Sequence, residues 1–185
     1  MVKIIYNPDI HNRKTIRLKG FDYSVQGMYF ITICVQNREC VYGNIEKGKP
    51  CLNQAGEMVE QHWLKIEQQF ENVKLDEYVI MPNHIHGIIF IASAQNNRAD
   101  TRPAPTIGDI ICAFKSMTTN CYIQNVKQNE WKPFDKRLWQ RNYFERIIRN
   151  QEELDRIRDY IKNNPSRWEF DKNNLDDESG YLNGS

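Results

Sequence analysis

Two histidines separated by one residue, His84 and His86, are the first residues of this sequence whose type and spacing suggest chemistry. They lie in an apolar stretch typical of a β-strand, in which alternate side chains project from the same face. Their rings are therefore expected side by side, as a pair of metal ligands. Two half-buried, hydrogen-bonded histidines on an amphipathic strand would show the same spacing. Gly87 follows directly and predicts that a ligand or another backbone approaches closely.

A second polar pair lies on the last predicted helix, where Tyr160 and Asn164 are one turn apart. The apolar residues Leu154, Ile157 and Ile161 must face the protein, and both polar side chains lie beside that stripe. The phenol and the amide can then reach the site that the histidines line. An ordinary tyrosine at the edge of an amphipathic helix, followed by a helix-end asparagine, would give the same pattern.

Together these four side chains form a chemically coherent set. A divalent cation held by His84, His86 and the Asn164 oxygen would keep open positions for phosphate oxygens, and mixed nitrogen and oxygen ligation suits Mg²⁺ or Mn²⁺. The metal would polarise and orient a phosphodiester while Tyr160 attacks phosphorus and forms a phosphotyrosine. A phenol ionises more readily than an alkyl alcohol, and phenolate is a competent leaving group. A second 3′-hydroxyl could then displace the tyrosine without external energy.

The elements that must position these residues follow the order β-α-β-β-α-β-α. Strands are predicted at residues 27–35, 77–81, 84–91 and 138–148, and helices after the caps Asn53, Thr106 and Asn150. Asn164-Pro165 must close the last helix. The first six elements match the ferredoxin-like, split βαβ arrangement of the α+β class, an antiparallel sheet with two helices on one face. The helix that carries the tyrosine is additional, and residues 92–105 are predicted to form a mobile loop.

Length and composition place the chain among ordinary globular proteins. It has 185 residues, 40% hydrophobic and 26% charged, which predicts one main domain and excludes a disordered or fibrous protein. Its five cysteines include no Cys-x-x-Cys pair, which argues against a disulfide scaffold and a cysteine-rich zinc site. No apolar run is long enough for a membrane span, and the N-terminus does not have the pattern of a signal peptide. We therefore expect a soluble cytoplasmic protein with no membrane contact.

Charge is unevenly distributed although the net charge is only +1. Residues 131–168 contain ten Lys and Arg against six Asp and Glu, whereas residues 169–185 contain five acidic residues and one lysine. We divide the chain into a basic N-terminal arm (1–25), a main domain (26–168) and an acidic C-terminal tail (169–185). The basic parts are compatible with a polyanionic partner, although solvated helix faces carry similar charge.

A mixture of cations and flat rings lies on or near the fourth predicted strand. Single-stranded nucleic acid is bound by such mixtures, through phosphate contacts and base stacking. The candidate DNA-binding residues are Arg137, Arg141, Arg146, Arg149, Trp139, Tyr143 and, on the second helix, Lys115. Strand alternation divides them between two faces, and the aromatic members could instead belong to the core. The N-terminal basic residues could grip a hairpin stem or be solvated.

Two motifs of this sequence resemble those of a known family. The stretch Val79-Ile80-Met81-Pro82-Asn83-His84-Ile85-His86 and the stretch Tyr160-Ile161-Lys162-Asn163-Asn164-Pro165 are similar to the motifs of the HUH single-tyrosine transposases of the insertion-sequence type. The chain resembles the REP-associated tyrosine transposases more narrowly, and further similar stretches lie at residues 21–32, 138–145 and 147–150. The resemblance covers residues 13–171.

The resemblance implies the HUH nuclease fold and a metal-dependent endonuclease and strand transferase that acts on single-stranded DNA, often at imperfect hairpins of repeated extragenic palindromes. In such enzymes His84 and His86 would bind the metal, and Tyr160 would leave a 5′-phosphotyrosine and a free 3′-hydroxyl. Asn164 would complete the metal site, where many members carry glutamine. The family includes monomers and homodimers, so Tyr160 could meet the histidines of its own or of a second subunit. A nucleoid-associated location in the cytoplasm is expected.

Three other functions fit parts of the same pattern. A replication initiator or relaxase-type HUH nuclease would keep the fold and the nucleophile. A non-catalytic, RRM-like module would bind RNA or DNA through sheet aromatics, but it would give the histidines and Tyr160 no purpose. A metallophosphodiesterase would use water as nucleophile and Tyr160 only as a structural residue.

Overall fold

A four-stranded antiparallel sheet forms the centre of the protein, in a computed structural model that describes residues 27–92 and 105–174. The strands are β1 (Gly27–Cys34), β2 (Gly43–Glu46), β3 (Lys49–Leu52), β4 (Val73–Met81), β5 (His84–Ile91) and β6 (Phe144–Ile148). The helices are α1 (Gln54–Leu64), α2 (Ile66–Gln69), α3 (Ile107–Gln128) and α4 (Gln151–Asn163), with 3₁₀ turns at Gln36–Arg38 and Pro165–Phe170. The predicted arm, most of the predicted loop and the end of the acidic tail lie outside the described residues.

The central sheet has the strand order β4-β5-β1-β6, and every neighbouring pair is antiparallel. The order of the four long strands in the sheet is that of the split βαβ fold, which confirms the predicted α+β class. No helix within the described residues has the length and apolar character needed to cross a membrane.

The two faces of the sheet are covered by different helices. Tyr29 and Ile31 are among the residues that pack with α1 and α3 in one apolar cluster. Phe30 and Ile88 point the other way and pack with Leu154 and other residues of α4. The predicted pair of helices on one face is confirmed, and α4 covers the opposite face. Because helices cover both faces, the sheet does not offer the open surface that an RRM-like module uses.

The helix N-termini form as the sequence predicts. The Asn53 side chain accepts hydrogen bonds from two backbone N–H groups at the start of α1. Thr106 and Asp109 form a reciprocal capping box at α3, and Asn150 accepts from the N–H of Glu153 at α4. Each cap satisfies backbone donors that the first helical turn leaves without a partner.

The fourth long strand is shorter than predicted. The sequence predicts a strand over residues 138–148, but β6 contains only Phe144–Ile148, and Trp139 makes an isolated bridge to Val35. The Lys115 ammonium donates a hydrogen bond of 2.9 Å to the Gln140 carbonyl and also donates to the carbonyls of the next two residues. The chain therefore turns around a partly buried cation, and those carbonyls cannot join the sheet.

A hairpin formed by β2 and β3 lies between β1 and α1, where the sequence predicts no strand. Lys47 and Gly48 at its tip both have positive φ, 51° and 73°, as a two-residue turn of the mirror-image type requires. Each strand has only four residues, too few for alternation to be recognised in the sequence.

Gly87 is required by the core and not by a ligand. A Cβ atom added there would lie 2.3 Å from Cζ2 of Trp63, a fully buried side chain of α1. The expectation that Gly87 makes room for a ligand or another backbone is therefore wrong, because the close neighbour is an indole ring. Trp63 cannot move without disturbing the packed interior around it.

We expect Gly87→Ala to lower the free energy of unfolding by about 1–3 kcal/mol, the usual cost of overpacking. Urea unfolding measures this change. Gly27→Ala is the matched control, because a Cβ there meets the Tyr29 ring at an ordinary 3.7 Å. Equal stability of the two variants would contradict the packing argument.

Candidate active site

His84 and His86 project from the β5 face that α4 covers. Both residues are almost fully buried, and their Nε2 atoms lie 3.0 Å apart. Strand alternation therefore places the two rings side by side, as the spacing predicts. At most one of two facing nitrogens can carry a proton, so at least one lone pair points into the space between the rings.

Asn83 fixes the orientation of the His84 ring. Its amide NH₂ donates to the backbone carbonyls of Arg38 at 2.8 Å and Asn173 at 2.7 Å. Its carbonyl oxygen must then face His84 Nδ1, 2.8 Å away, so Nδ1 donates and Nε2 carries the lone pair. The sequence does not reveal this role of Asn83, because an asparagine after proline in a tight turn is explained by the turn alone.

Thr32 orients the second ring. It is paired directly with His86 across β1 and β5, and its hydroxyl oxygen lies 2.8 Å from His86 Nδ1. This contact turns Nε2 of His86 toward His84. The sequence signal for this contact is Thr32 itself, a polar residue in the centre of the apolar strand β1.

Burial keeps both imidazoles neutral. It lowers the pKa of His84 to about 3, with help from the positive charges of Arg38 and Lys172. It lowers the pKa of His86 well below the usual value, and the neighbouring His84 adds to this effect. Neutral imidazole is the form that binds metal.

Tyr160 on α4 completes the group within a single chain. Its hydroxyl lies 3.2 Å from His86 Nε2, and its ring packs edge-on against Phe30 at 5.9 Å between centroids. Burial and the charge of Asp171 raise the pKa of Tyr160, while a hydrogen bond with Asn164 opposes the shift. The phenol is therefore protonated at rest, and 41% of the residue remains exposed to solvent.

A bidentate ion pair anchors α4 on the sheet beside Tyr160. Arg158 donates from Nε and one terminal nitrogen to the two Asp76 oxygens, at 2.7 and 2.6 Å. The hydrogen bonds from Arg158 hold the pKa of Asp76 below its usual 3.8. Bidentate geometry makes this pair stronger than most surface pairs, although both groups are partly solvated.

We expect Asp76→Asn to lower the free energy of unfolding by about 1 kcal/mol at pH 7, after allowing for solvent screening. Because the folded-state pKa is depressed, this contribution is complete above the unfolded pKa near 3.8 and is lost as pH falls through the lower folded value. Urea unfolding at several pH values measures the difference. Glu77→Gln, which removes the partner of the exposed Lys162, should change little at any pH.

Asn164 and Asp171 close the remaining side of the histidine pair. Asn164 is 4% exposed, and its NH₂ donates to Asp171 Oδ2 at 3.2 Å. Its own carbonyl oxygen has no hydrogen-bond partner among the described residues. Asp171 Oδ2 lies 3.9 Å from His84 Nε2.

These donors fit a divalent cation. One ligand atom from each of His84, His86 and Asp171 lies within 4.8 Å of the others. A buried carbonyl oxygen without a partner costs free energy, and a bound cation would relieve that cost. A site made of imidazole nitrogens with amide and carboxylate oxygens suits Mn²⁺ or Mg²⁺, whereas thiolate ligands select softer metals.

Trp139 does not present a ring to DNA. It is 4% exposed, its Nε1 donates to the Thr118 hydroxyl at 2.9 Å, and its ring packs near Tyr42 and Phe114. The prediction that it stacks on bases is therefore corrected, since this indole belongs to the core.

Lys115 also has a structural role in place of the predicted phosphate contact. Its ammonium donates to three backbone carbonyls between β6 and the core, which uses all three of its donors. Burial lowers its pKa to about 8. Tyr143 is half-buried with this ammonium 5.4 Å from its ring centroid.

The four predicted arginines are exposed but lie in different places. Arg146 lines a cavity of about 490 Å³ next to Tyr160. Arg137 and Arg141 line a separate groove against α3. Arg149 lines neither. The structure therefore brings only Arg146 of this set to the histidine and tyrosine site.

The cavity beside Tyr160 contains an aromatic residue suited to stacking. Phe144 at the start of β6 is 44% exposed and lines it, together with Phe30 and Tyr143. Gln140 and Asn142 also line this cavity. In this region the ring available for base stacking is therefore that of Phe144, and not that of Trp139.

A ferredoxin-like sheet that presents paired histidines to a tyrosine helix is the architecture of the HUH enzymes. Within that class the chain belongs to the IS200-like transposase family, whose sequence model matches residues 25–164. This membership confirms the enzyme class indicated by the two sequence motifs.

Two curated proteins and one solved structure are similar to the chain. The chain is 42% identical over 179 residues to an uncharacterised protein of Haemophilus influenzae, covering 90% of this chain and 96% of the relative. It is 28% identical over 149 residues to a protein of the same organism that is provisionally named a REP-associated tyrosine transposase, covering 78% and 73%. A solved REP-associated tyrosine transposase bound to a REP hairpin has the same fold, with a TM-score of 0.57, 17% identity, and coverage of 84% and 77%.

Proposed function

We propose that this transposase cuts and transfers single-stranded DNA beside hairpin or palindromic elements, through a covalent 5′-phosphotyrosine on Tyr160. The observation that carries the proposal is the Tyr160 hydroxyl, 3.2 Å from His86 Nε2 inside one chain. Membership of the IS200-like family supports strand transfer. The hairpin bound to the solved relative supports the choice of substrate.

We assign the cation site to His84, His86 and Asn164, with Mg²⁺ or Mn²⁺ as the metal. The neutral rings, the Nε2 separation of 3.0 Å and the unpartnered Asn164 oxygen support this assignment. When bound, the cation would polarise the scissile phosphodiester and balance charge that develops on its oxygens. Asn83 and Thr32 would hold the rings in place as outer partners.

The chemical step conserves the energy of the phosphodiester. The Tyr160 oxygen attacks phosphorus, the bond from phosphorus to the 3′ oxygen breaks, and the leaving oxygen takes up a proton to become a 3′-hydroxyl. The phenol proton is lost toward the solvent-exposed side of the ring. In the second half, another 3′-hydroxyl attacks the phosphotyrosine and releases Tyr160, so no external energy source is required.

We place the nucleotide next to the scissile phosphate in the 490 Å³ cavity. The exposed ring of Phe144 would stack on its base. Arg146 is bound to Glu153 at 2.6 Å but is 59% exposed, so other N–H groups of its guanidinium remain for phosphate. The charge and position of Arg137, Arg141 and Arg149 suit more distant parts of the strand.

A covalent-adduct assay tests the proposal. The protein is incubated with an end-labelled single-stranded hairpin and Mg²⁺ or Mn²⁺, and the products are separated on a denaturing gel. We expect a protein–DNA adduct and a fragment ending in a 3′-hydroxyl, both absent when EDTA is added. Binding of the hairpin without cleavage in either metal would contradict the proposal.

A further inference from the structure

We propose that Asp171 is a fourth protein ligand of the cation, a negatively charged oxygen supplied by the segment after α4. This inference rests on the cation site of the proposed function and adds to it a residue beyond the match to the family model, which ends at residue 164. Asp171 lies in the segment that the sequence indicates as an acidic tail, residues 169–185.

The first support is the position of the carboxylate. Its Oδ2 lies 3.9 Å from His84 Nε2, and the side chain is only 5% exposed. One ligand atom from each of His84, His86 and Asp171 falls within 4.8 Å of the other two. A cation placed among these three atoms would be within reach of all of them after small side-chain shifts.

The second support comes from the polar atoms around Asp171, which the described residues leave without suitable partners. A buried carboxylate is costly unless it faces positive charge or a hydrogen-bond donor, and the ring nitrogen that faces Asp171, His84 Nε2, carries a lone pair because Nδ1 donates to Asn83. Asn164 donates its NH₂ to Asp171, which leaves its buried oxygen without a hydrogen-bond partner in the described structure. A cation between the two oxygens and the two nitrogens would satisfy all four groups.

The third support is that the backbone fixes Asp171 independently of the metal. The other carboxylate oxygen, Oδ1, accepts the N–H of Asn173 at 2.7 Å. The carbonyl of Asn173 accepts from Asn83, and the carbonyl of Lys172 accepts from Arg38 at 2.6 Å. Asn83 therefore connects the His84 ring to the segment that carries Asp171.

Manganese titration of the metal-free, full-length protein tests this assignment without DNA. Free Mn²⁺ is followed by electron paramagnetic resonance for the wild type, Asp171→Asn and Glu169→Gln. Glu169 is exposed two residues earlier, so the control removes the same charge from the same segment. We expect Asp171→Asn to weaken Mn²⁺ binding by about tenfold or more, because the loss of a residue that only hydrogen-bonds to a metal ligand already weakens binding by about tenfold. Glu169→Gln should bind Mn²⁺ with wild-type affinity.

Thermal melting distinguishes a ligand from a structural carboxylate. Asparagine can still accept the Asn173 N–H, so we expect Asp171→Asn to melt at or above the wild-type temperature without metal. With saturating Mn²⁺ the order reverses, because the wild type gains more from the cation. Unchanged Mn²⁺ affinity, or weaker affinity together with a lower metal-free melting temperature, would overturn the proposal.

His84→Ala separates this inference from the cation site itself. If Mn²⁺ binding is lost in His84→Ala but unchanged in Asp171→Asn, the proposed function stands and the role of Asp171 is wrong. If the wild-type protein binds no Mn²⁺, the cation site of the proposed function fails and the inference fails with it.

Discussion

Tyr160→Phe is expected to abolish the covalent adduct and to reduce cleavage by about 10⁵-fold, on the scale of losses seen when a nucleophile is removed. Hairpin binding should remain close to that of the wild type. The phenylalanine ring keeps the packing against Phe30 and His86, and the variant loses the hydroxyl with its hydrogen bonds to His86 at 3.2 Å and to Asn164. The gel assay measures adduct and cleavage, and a fluorescence binding assay measures affinity.

Tyr78→Phe is the control for that prediction. Tyr78 lies on β4, packs beside Trp63 on the opposite face of the sheet, and bonds Glu60 through its hydroxyl. The Tyr78→Phe variant should cleave the hairpin DNA at the wild-type rate. Cleavage that persists in Tyr160→Phe would mean that water is the nucleophile and that the enzyme is a metallophosphodiesterase.

Much of the fold could be predicted because the local signals agree with the final packing. The alternation around His84 put its ring on the face that carries Phe30, and the caps Thr106 and Asn150 marked the starts of α3 and α4. The same alternation brought the histidines to the side of the sheet that Tyr160 reaches. Local periodicity was enough here because each of these elements is long or capped.

The remaining features depend on contacts between distant parts of the chain. Trp139 lies in a stretch with the pattern of a strand, but its backbone turns around the ammonium of Lys115, more than twenty residues earlier. Asp171 follows a 3₁₀ turn and has no periodic neighbours. Its place beside His84 depends on bonds from Asn83 and Arg38 to the same segment. No local pattern encodes such a contact.

His84→Ala is expected to reduce cleavage by about a thousandfold while hairpin affinity stays within a few fold. A metal ion supplies several kcal/mol of transition-state stabilisation, and each 1.36 kcal/mol corresponds to a factor of about ten in rate. The cation acts on charge that develops during the reaction, whereas DNA affinity comes mainly from phosphate contacts elsewhere. Cleavage rates at several Mn²⁺ concentrations and binding measured in EDTA test the two parts separately.

His62→Ala is the matched control, because His62 lies on α1 and its one hydrogen bond among the described residues is with the Met58 carbonyl of the same helix. His84 is fully buried and holds the Asn83 oxygen, so the melting temperature of His84→Ala must be measured beside its activity. A metal role predicts that raising the Mn²⁺ concentration restores part of the lost rate in a variant that is still folded. Wild-type cleavage by folded His84→Ala would instead show that the imidazole pair does not hold the catalytic cation, and the chemistry at Tyr160 would need another source of charge stabilisation.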